Sequence, residues 1–274
     1  MLEVAYAGLT DAGPHRPSNE DRIGLFLPED PALMDRKGVL CVIADGVGGH
    51  EGGEVASATA VETIIKEYYS PSSQSRLEAA LRQSVQVANL RVYDFGQGQL
   101  ELRQMETTAT ALVLAGDRGY VAHIGDSRVY HFRDGRLAQV TSDHSEVAEL
   151  VRMRLLSPEA ARNHPGRNVL TRTLGGRLIV RPDFLQLPVR AGDQFLLCTD
   201  GLWSEVNDDE IAEALTGGEP AASCRALIDM ALDRDCVDNV SVQVIKVKSV
   251  APPSPSARSR DGWLSGVIDR IRGT

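Results

Sequence analysis

"VLCVIADGVGGHEGGE", residues 39–54, opens with six apolar residues and stops on Asp45; a glycine-rich run follows, carrying one histidine and two glutamates. An apolar run of that length, bounded by glycine, reads as a buried strand. Asp-Gly alone is a common turn signal, so one acid does not settle what the strand ends on. The arrangement recurs, however. "YVAHIGDSR" delivers Asp126 after an apolar run, "QFLLCTDGLW" delivers Asp200 in the same way, and "DCVDNVSVQVIKV" sets Asp238 just ahead of a strand. Four acids far apart in the chain thus stand at strand ends beside small residues.

Working outward, period-2 or continuous apolar runs predict strands at 4–9, 22–27, 38–44, 108–115, 119–125, 128–132, 136–140, 179–187, 194–199 and 240–248. Helical spacing appears at 53–69, with Val55, Ala56, Ala60, Ile64 and Tyr68 on one face, and at 76–95, with Leu77, Leu81, Val85, Ala88 and Val92. Further helices are expected at 145–154, 157–163, 208–216 and 219–233. Strict strand–helix alternation is absent, which argues against a doubly wound parallel sheet and for an antiparallel, layered α+β domain over 1–249. Residues 250–262 read as a proline, serine and arginine linker. Residues 263–274 place Trp263, Leu264, Val267, Ile268 and Ile271 at helical spacing, a short amphipathic tail helix that packs on the body or meets a partner or a membrane surface.

The 274 residues are 42% hydrophobic and 24% charged, with a net charge of −9. Such an acidic chain gives no electrostatic reason to bind nucleic acid or an anionic membrane. No segment approaches about 18 uninterrupted apolar residues, so no transmembrane segment is expected. Four cysteines form no CxxC pair, and Cys41 and Cys198 lie inside apolar runs as reduced core residues. A cytoplasmic monomer is the expectation.

Carboxylates brought to one sheet edge repel one another unless a cation neutralises them. Every candidate ligand is an oxygen, and hard oxygen ligands select Mg²⁺ or Mn²⁺ over zinc or copper. The glycines after Asp45 let a carbonyl such as that of Gly46 join them. Two ions bridged about 3.5–4 Å apart would poise a hydroxide for in-line attack on phosphorus, with no Cys or Ser nucleophile required. Near the N-terminus "GPHRPSNEDR" groups Arg16, Asn19, Glu20 and Asp21. A guanidinium can grip a phosphate bidentately, and the two acids could supply ligands or hold water; the same stretch also reads as a solvated charged loop.

In order, "RPSNEDR" (16–22), "ADGVGGHEGGEVAS" (44–57), "TTATAL" (107–112), "HIGDSRVY" (123–130), "SDHS" (142–145), "NVLTRTLG" (168–175), "LLCTDGLW" (196–203) and "DNVSV" (238–242) resemble the metal-dependent protein serine/threonine phosphatases, the protein phosphatase 2C family, in their bacterial form. The resemblance spans about residues 5–247. It implies a four-layer α-β-β-α sandwich of two antiparallel sheets flanked by helix pairs. It also implies roles: Asp45 bridges two Mn²⁺ or Mg²⁺ ions, Asp200 and Asp238 complete the first, and the Gly46 carbonyl serves the second with Glu20 nearby. Asp126 with Asp200 holds a third, weaker ion, Arg16 binds the substrate phosphate, and 145–167 forms a flap. The implied partners are phosphorylated proteins, including a serine/threonine kinase and its substrates.

Two departures stand out. Animal-type members carry a histidine, the proposed general acid, where this chain has Val47; the general acid stays open between metal-bound water and other groups. Glu106 stands where a glycine is expected, which points to a local backbone change. "DRDCV" (233–237) matches an aspartyl-nucleophile loop but follows a helical pattern near the C-terminus instead of a first strand. A cysteine phosphatase is excluded, because no arginine stands six residues after any cysteine. An inactive phosphoprotein- or metal-binding module is the remaining alternative.

Overall fold

Along the strand that opens the chain's metal-like motif, alternate residues enter two different cores. In this computed structural model, which describes residues 2–47, 51–73, 76–98, 105–157, 160–161 and 164–250, that strand is Val39–Val47. Leu40, Val42 and Ala44 join one buried cluster and Val39, Cys41 and Ile43 another. Burial on both faces is why the segment reads as a continuous apolar run and not as an alternating one.

The strands are β1 (Glu3–Asp11), β2 (Asp21–Phe26), β3 (Val39–Val47), β4 (Glu106–Thr107), β5 (Ala109–Ala115), β6 (Arg118–Ile124), β7 (Arg128–Arg133), β8 (Arg136–Gln139), β9 (Asp183–Pro188), β10 (Gln194–Cys198) and β11 (Val240–Ser249). The helices are α1 (Pro31–Lys37), α2 (Glu51–Tyr69), α3 (Leu77–Gly98), α4 (Glu146–Arg152), α5 (Asp200–Trp203), α6 (Asp208–Leu215) and α7 (Pro220–Asp233). One sheet runs β2-β3-β5-β6-β9, with β4 paired to the end of β3; the other runs β1-β11-β10-β7-β8. Every pairing is antiparallel.

Three cores stack these layers. Ala56, Ala60, Ile64 and Tyr68 of α2, with Leu81, Val85, Ala88 and Val92 of α3, cover the first sheet. Leu227, Ile228 and Ala231 of α7 and Ile211 and Leu215 of α6 cover the second. Between the sheets lie Ile43, Leu112, Leu114, Phe195, Leu197, Ile245 and Val247. The expected four-layer α-β-β-α sandwich is therefore the observed fold. The inter-sheet layer turns polar at one end. Gln243 and Ser241 of β11 take up the alternation after Val247 and Ile245, and Gln243 Nε2 donates to the Gly24 carbonyl across the gap at 3.0 Å.

Local differences have physical causes. The strand read at 179–187 is confined to β9, because Asn89 Nδ2 donates to the carbonyls of Arg177 and Leu178 and Pro182 has no N–H for a ladder. Helix α1 was not anticipated; seven residues are too few for a periodic signal, although Asp30 caps it by accepting from Ala32 N. The helix read at 157–163 lies partly outside the described residues. The tail helix at 263–274, and the linker but for its first residue, lie wholly outside them. Among the described residues no helix is long and apolar enough to cross a membrane.

Candidate metal centre

Strand pairing brings the acids together. Asp21, the first residue of β2, sits directly across from Asp45 of β3. Residues opposite one another share a face, and both lie on the face that carries Ile43 and Ile23 toward the second sheet. From that second sheet come Asp200, one step beyond Thr199 at the end of β10, and Asp238, two residues ahead of β11. Asp126 follows Gly125 at the end of β6.

Their electrostatics show that they share one region. Burial pushes the Asp21 carboxyl up to about 7, with Asp200 and Asp238 adding to the rise. Burial, then Asp238, pushes Asp200 up to about 6. Asp45 is held well above the carboxylate range by burial and then by Asp21, Asp200, Asp126 and Asp238. Asp126 is raised likewise by burial and then by Asp200 and Asp143. Burial and neighbouring carboxylates thus oppose the ionisation of Asp21, Asp45, Asp126 and Asp200, with Thr199 on Asp21 and Arg16 beside Asp200 giving partial relief. Asp21 Oδ1 and Asp200 Oδ1 are buried with no hydrogen-bond partner. Among the described residues no three Asp, Glu, His or Cys side chains close around one point, so the acids share a rim and a field rather than a formed coordination sphere.

A second group of oxygens gathers on the helix side of β2 and β3. A Cβ placed on Gly53 of α2 would fall 2.0 Å from Glu20 Oε2 and 3.0 Å from the Gly46 carbonyl oxygen. The absence of a side chain there leaves a cradle in which the Glu20 carboxylate and the Gly46 carbonyl face the same spot. The Glu20 backbone is pinned from three sides: its carbonyl accepts from Ser57 Oγ at 2.6 Å and Gly46 N at 3.1 Å, and its N–H donates to Asn239 Oδ1 at 2.8 Å.

Buried hydroxyls and amides fix the rest. Asp45 N donates to Thr108 Oγ1 at 2.9 Å, Thr107 Oγ1 donates to the Asp45 carbonyl at 2.8 Å, and Thr108 Oγ1 bonds Ser127 Oγ at 2.7 Å, joining the Asp45 and Asp126 turns. Thr199 Oγ1 donates to Asp21 Oδ2 at 2.8 Å. Arg16 Nη2 donates to Asp238 Oδ2 at 2.6 Å, while Asn239 Nδ2 holds the Arg16 loop through the carbonyls of Ala12 and Ser18. The Trp203 indole donates to the Asp126 carbonyl at 3.0 Å and its ring lies over Arg128, at the edge of a cavity of about 630 Å³ between α4 and the 203–208 segment.

All the acids singled out in the sequence occupy this region: Asp45, Asp126, Asp200 and Asp238 on the rim, Glu20 with the Gly46 carbonyl in the cradle, and Arg16 beside Asp238. Asp21, which the sequence offers with Glu20 as a ligand or water holder, sits opposite Asp45 and is a full member of the rim. Thr107, Thr108, Thr199 and Asn239 were not read as site residues, since hydroxyls and amides that hold other groups carry no signal of their own. Val47 pairs with Glu106 in β4, and the Glu106 carboxylate accepts from Thr173 Oγ1, tying β4 to the 173–176 segment. His50 lies outside the described residues.

A carboxylate rim between two sheets, flanked by an arginine, is a donor set of the kind hard cations take. The comparisons agree. A family profile described as Protein phosphatase 2C matches residues 19–226. The chain is 37% identical over 246 residues to the serine/threonine protein phosphatase PstP of Mycobacterium tuberculosis (strain CDC 1551 / Oshkosh), covering 90% of this chain but 45% of that protein. It is 36% identical over 209 residues to the serine/threonine phosphatase stp of Listeria monocytogenes (serovar 1/2a), covering 75% of this chain and 81% of that one. The crystal structure of the PstP catalytic domain in complex with two manganese ions superposes with a TM-score of 0.79 at 36% identity, covering 91% of this chain and all of that one. A serine/threonine phosphatase of S. agalactiae gives a TM-score of 0.81 at 32% identity, covering 90% and 100%. The chain belongs to the protein phosphatase 2C family. It spans about half the length of the mycobacterial relative.

Proposed function

We propose that this chain is a Mn²⁺- or Mg²⁺-dependent phosphoprotein phosphatase that hydrolyses phosphoserine and phosphothreonine. The observation that carries the reading is the convergence of five aspartates from two sheets, with Asp21 Oδ1 and Asp200 Oδ1 buried and unpaired. Such orphaned carboxylate oxygens fit a hard cation and little else. Asp45, Asp200 and Asp238 would hold one ion; Asp45, the Gly46 carbonyl and Glu20 a second; and Asp126 with Asp200 a third, weaker one. The chemistry the ions supply when bound is neutralisation of the clustered charge and acidification of a water for attack on phosphorus.

The chain's own groups do the rest. Arg16, now on Asp238, is the cation nearest the rim and would grip the phosphate, orienting it against Asp45. Val47 carries no proton, so protonation of the departing serine or threonine oxygen falls to water held at the rim. The substrates would be phosphorylated proteins, among them a serine/threonine kinase and its targets, met by a cytoplasmic, monomeric enzyme. No member of the acid set is missing, which argues against an inactive binding module. The test is hydrolysis of p-nitrophenyl phosphate with Mn²⁺, with and without EDTA, in wild type and Asp45→Asn. Turnover that depends on Mn²⁺, vanishes in EDTA and falls by orders of magnitude in the variant supports the reading; turnover indifferent to EDTA, or absent with metal, overturns it.

A further inference from the structure

His144 is completely buried in the segment that leaves β8 and returns at β9, and it ties that segment to the turn after β6. Its N–H donates to the Gly125 carbonyl at 2.8 Å, and its own carbonyl accepts from Thr171 N at 2.8 Å. Gly125 N in turn donates to His144 Nδ1 at 3.2 Å. An Nδ1 that accepts leaves the ring proton on Nε2. That nitrogen faces Asp183 Oδ2 at 3.2 Å at the start of β9, and Arg172 Nη1 donates to Asp183 Oδ1 at 3.0 Å. His123 stacks beside the ring, 4.8 Å between centroids, and its Nε2 bonds the Ser142 carbonyl at 3.1 Å.

The residue so gripped is the one before Asp126. Gly125 has φ 108, and a Cβ there would lie 2.5 Å from Thr108 Cβ, so this turn is open to glycine alone and has no side chain of its own to hold it. His144 takes both of its backbone hydrogen-bonding groups, while Trp203 holds the Asp126 carbonyl from the other side.

We propose that His144 is a positioning residue: its unprotonated Nδ1 and its backbone set the Gly125–Asp126 turn, and through it the aim of the Asp126 carboxylate at the weaker cation site. This rests on the reading of the rim as a cation site. His144→Asn and His144→Gln separate it from a mere packing role. The asparagine oxygen can stand where Nδ1 stands; the glutamine reaches only the Nε2 position.

Calorimetric titration of the metal-free full chain with Mn²⁺ should show the weakest binding event lost or weakened by about 10- to 100-fold in His144→Gln, as for other groups that orient a ligand. The tighter events should be unchanged, and His144→Asn should stay near wild type. Equal behaviour of the two variants, or a uniform loss of all binding events, overturns the proposal. Should the variants fail to fold, ¹⁵N spectra of the histidine-labelled wild type decide. An unprotonated Nδ1 coupled to the Gly125 amide supports the assignment, and an Nδ1–H tautomer overturns it. Absence of any Mn²⁺ binding by wild type would instead sink the cation-site reading, while the ¹⁵N result would still report on the turn.

Discussion

Replacing Gly53 with alanine should separate the fold from the site. The new Cβ would stand 2.0 Å from Glu20 Oε2 and 2.8 Å from Glu20 Cδ, where ordinary contact begins near 3.4 Å. The carboxylate, the far end of a side chain whose backbone is fixed by Ser57, Gly46 and Asn239, must therefore retreat by more than about 1 Å. The helix itself gains, since alanine is favoured over glycine by up to about 1 kcal/mol. For a chain of this size that is a rise in Tm of about 2–4 °C at most. The cradle loses, because a ligand displaced by about 1 Å costs on the order of 10- to 100-fold in affinity or rate. The assay pairs a thermal melt in EDTA with p-nitrophenyl phosphate hydrolysis over a range of Mn²⁺ concentrations. The expected outcome is an unchanged or slightly higher Tm with a Mn²⁺ requirement raised by that factor. Wild-type Mn²⁺ dependence at an unchanged Tm would refute the cradle, and a Tm lower by many degrees would show that the main chain moves instead of Glu20.

Metal-free protein should lose stability as pH rises. Asp21 and Asp200 have folded values of about 7 and about 6 against an ordinary 3.8, so the folded state holds their protons longer; that stability is complete below about 3.8 and is lost as pH climbs through about 7. Tm in EDTA should fall as pH rises from about 4 to about 7 and level off above that, and a flat or rising Tm would contradict the clustering. Arg16→Ala should raise KM for a phosphopeptide with a smaller effect on kcat, if the guanidinium holds ground and transition states alike; unchanged KM and kcat would remove it from the site. Asp193 is 1% exposed and bonded to Arg133 by two contacts of 2.6 Å, with its carboxyl held down to about 2 by Arg133, His131 and Arg190 N against the opposing effect of burial. Asp193→Ala should cost about 3 kcal/mol or more by stranding Arg133, measured by urea melts at pH 7. In wild type this contribution is present above about pH 4 and fades as pH falls toward 2.

The sequence shows the acids that end strands but not the acid that begins one. Asp126 and Asp200 are legible because a buried strand stops just before them, and Asp45 because the fully buried run of β3 ends at Ala44, although the strand itself continues to Val47. Asp21 is hidden inside "NEDR", where nothing local says which of two adjacent acids faces the second sheet. Pairing with β3 decides it, and places Glu20 on the opposite face toward Gly53. Thr107 and Thr108 look like ordinary strand residues until their hydroxyls are found on Asp45 and Ser127. His144 lies 19 residues from Gly125 and 39 from Asp183, so its grip exists only after folding. The layered fold was readable for a simpler reason: α2 and α3 each present one unbroken apolar face, and the strands between them and α7 come in antiparallel runs too closely spaced for parallel crossovers.

The site depends on two sheets, and this sets its energetics. Asp21 and Asp45 arrive on one sheet and Asp200 and Asp238 on the other, so their repulsion acts across the inter-sheet junction and not within a strand pair alone. Nearer the middle of the sandwich the same junction is apolar, with Ile43, Phe195, Leu197 and Ile245 packed together. At the rim, apolar contact gives way to Gln243, Ser241, Thr10 and Thr199: Gln243 Nε2 to the Gly24 carbonyl and Thr199 Oγ1 to Asp21 Oδ2 cross between the sheets, while Thr10, Ser241 and Thr199 are tied to one another within the second. On the proposed function, a cation taken up there would ligate both sheets at once, and its binding free energy would add to the stability of the junction it spans. Catalytic readiness and the stability of the sandwich would then be coupled through the same carboxylates, and a substitution that relieves the repulsion, such as Asp45→Asn, should raise the Tm of the metal-free protein while abolishing Mn²⁺-dependent turnover.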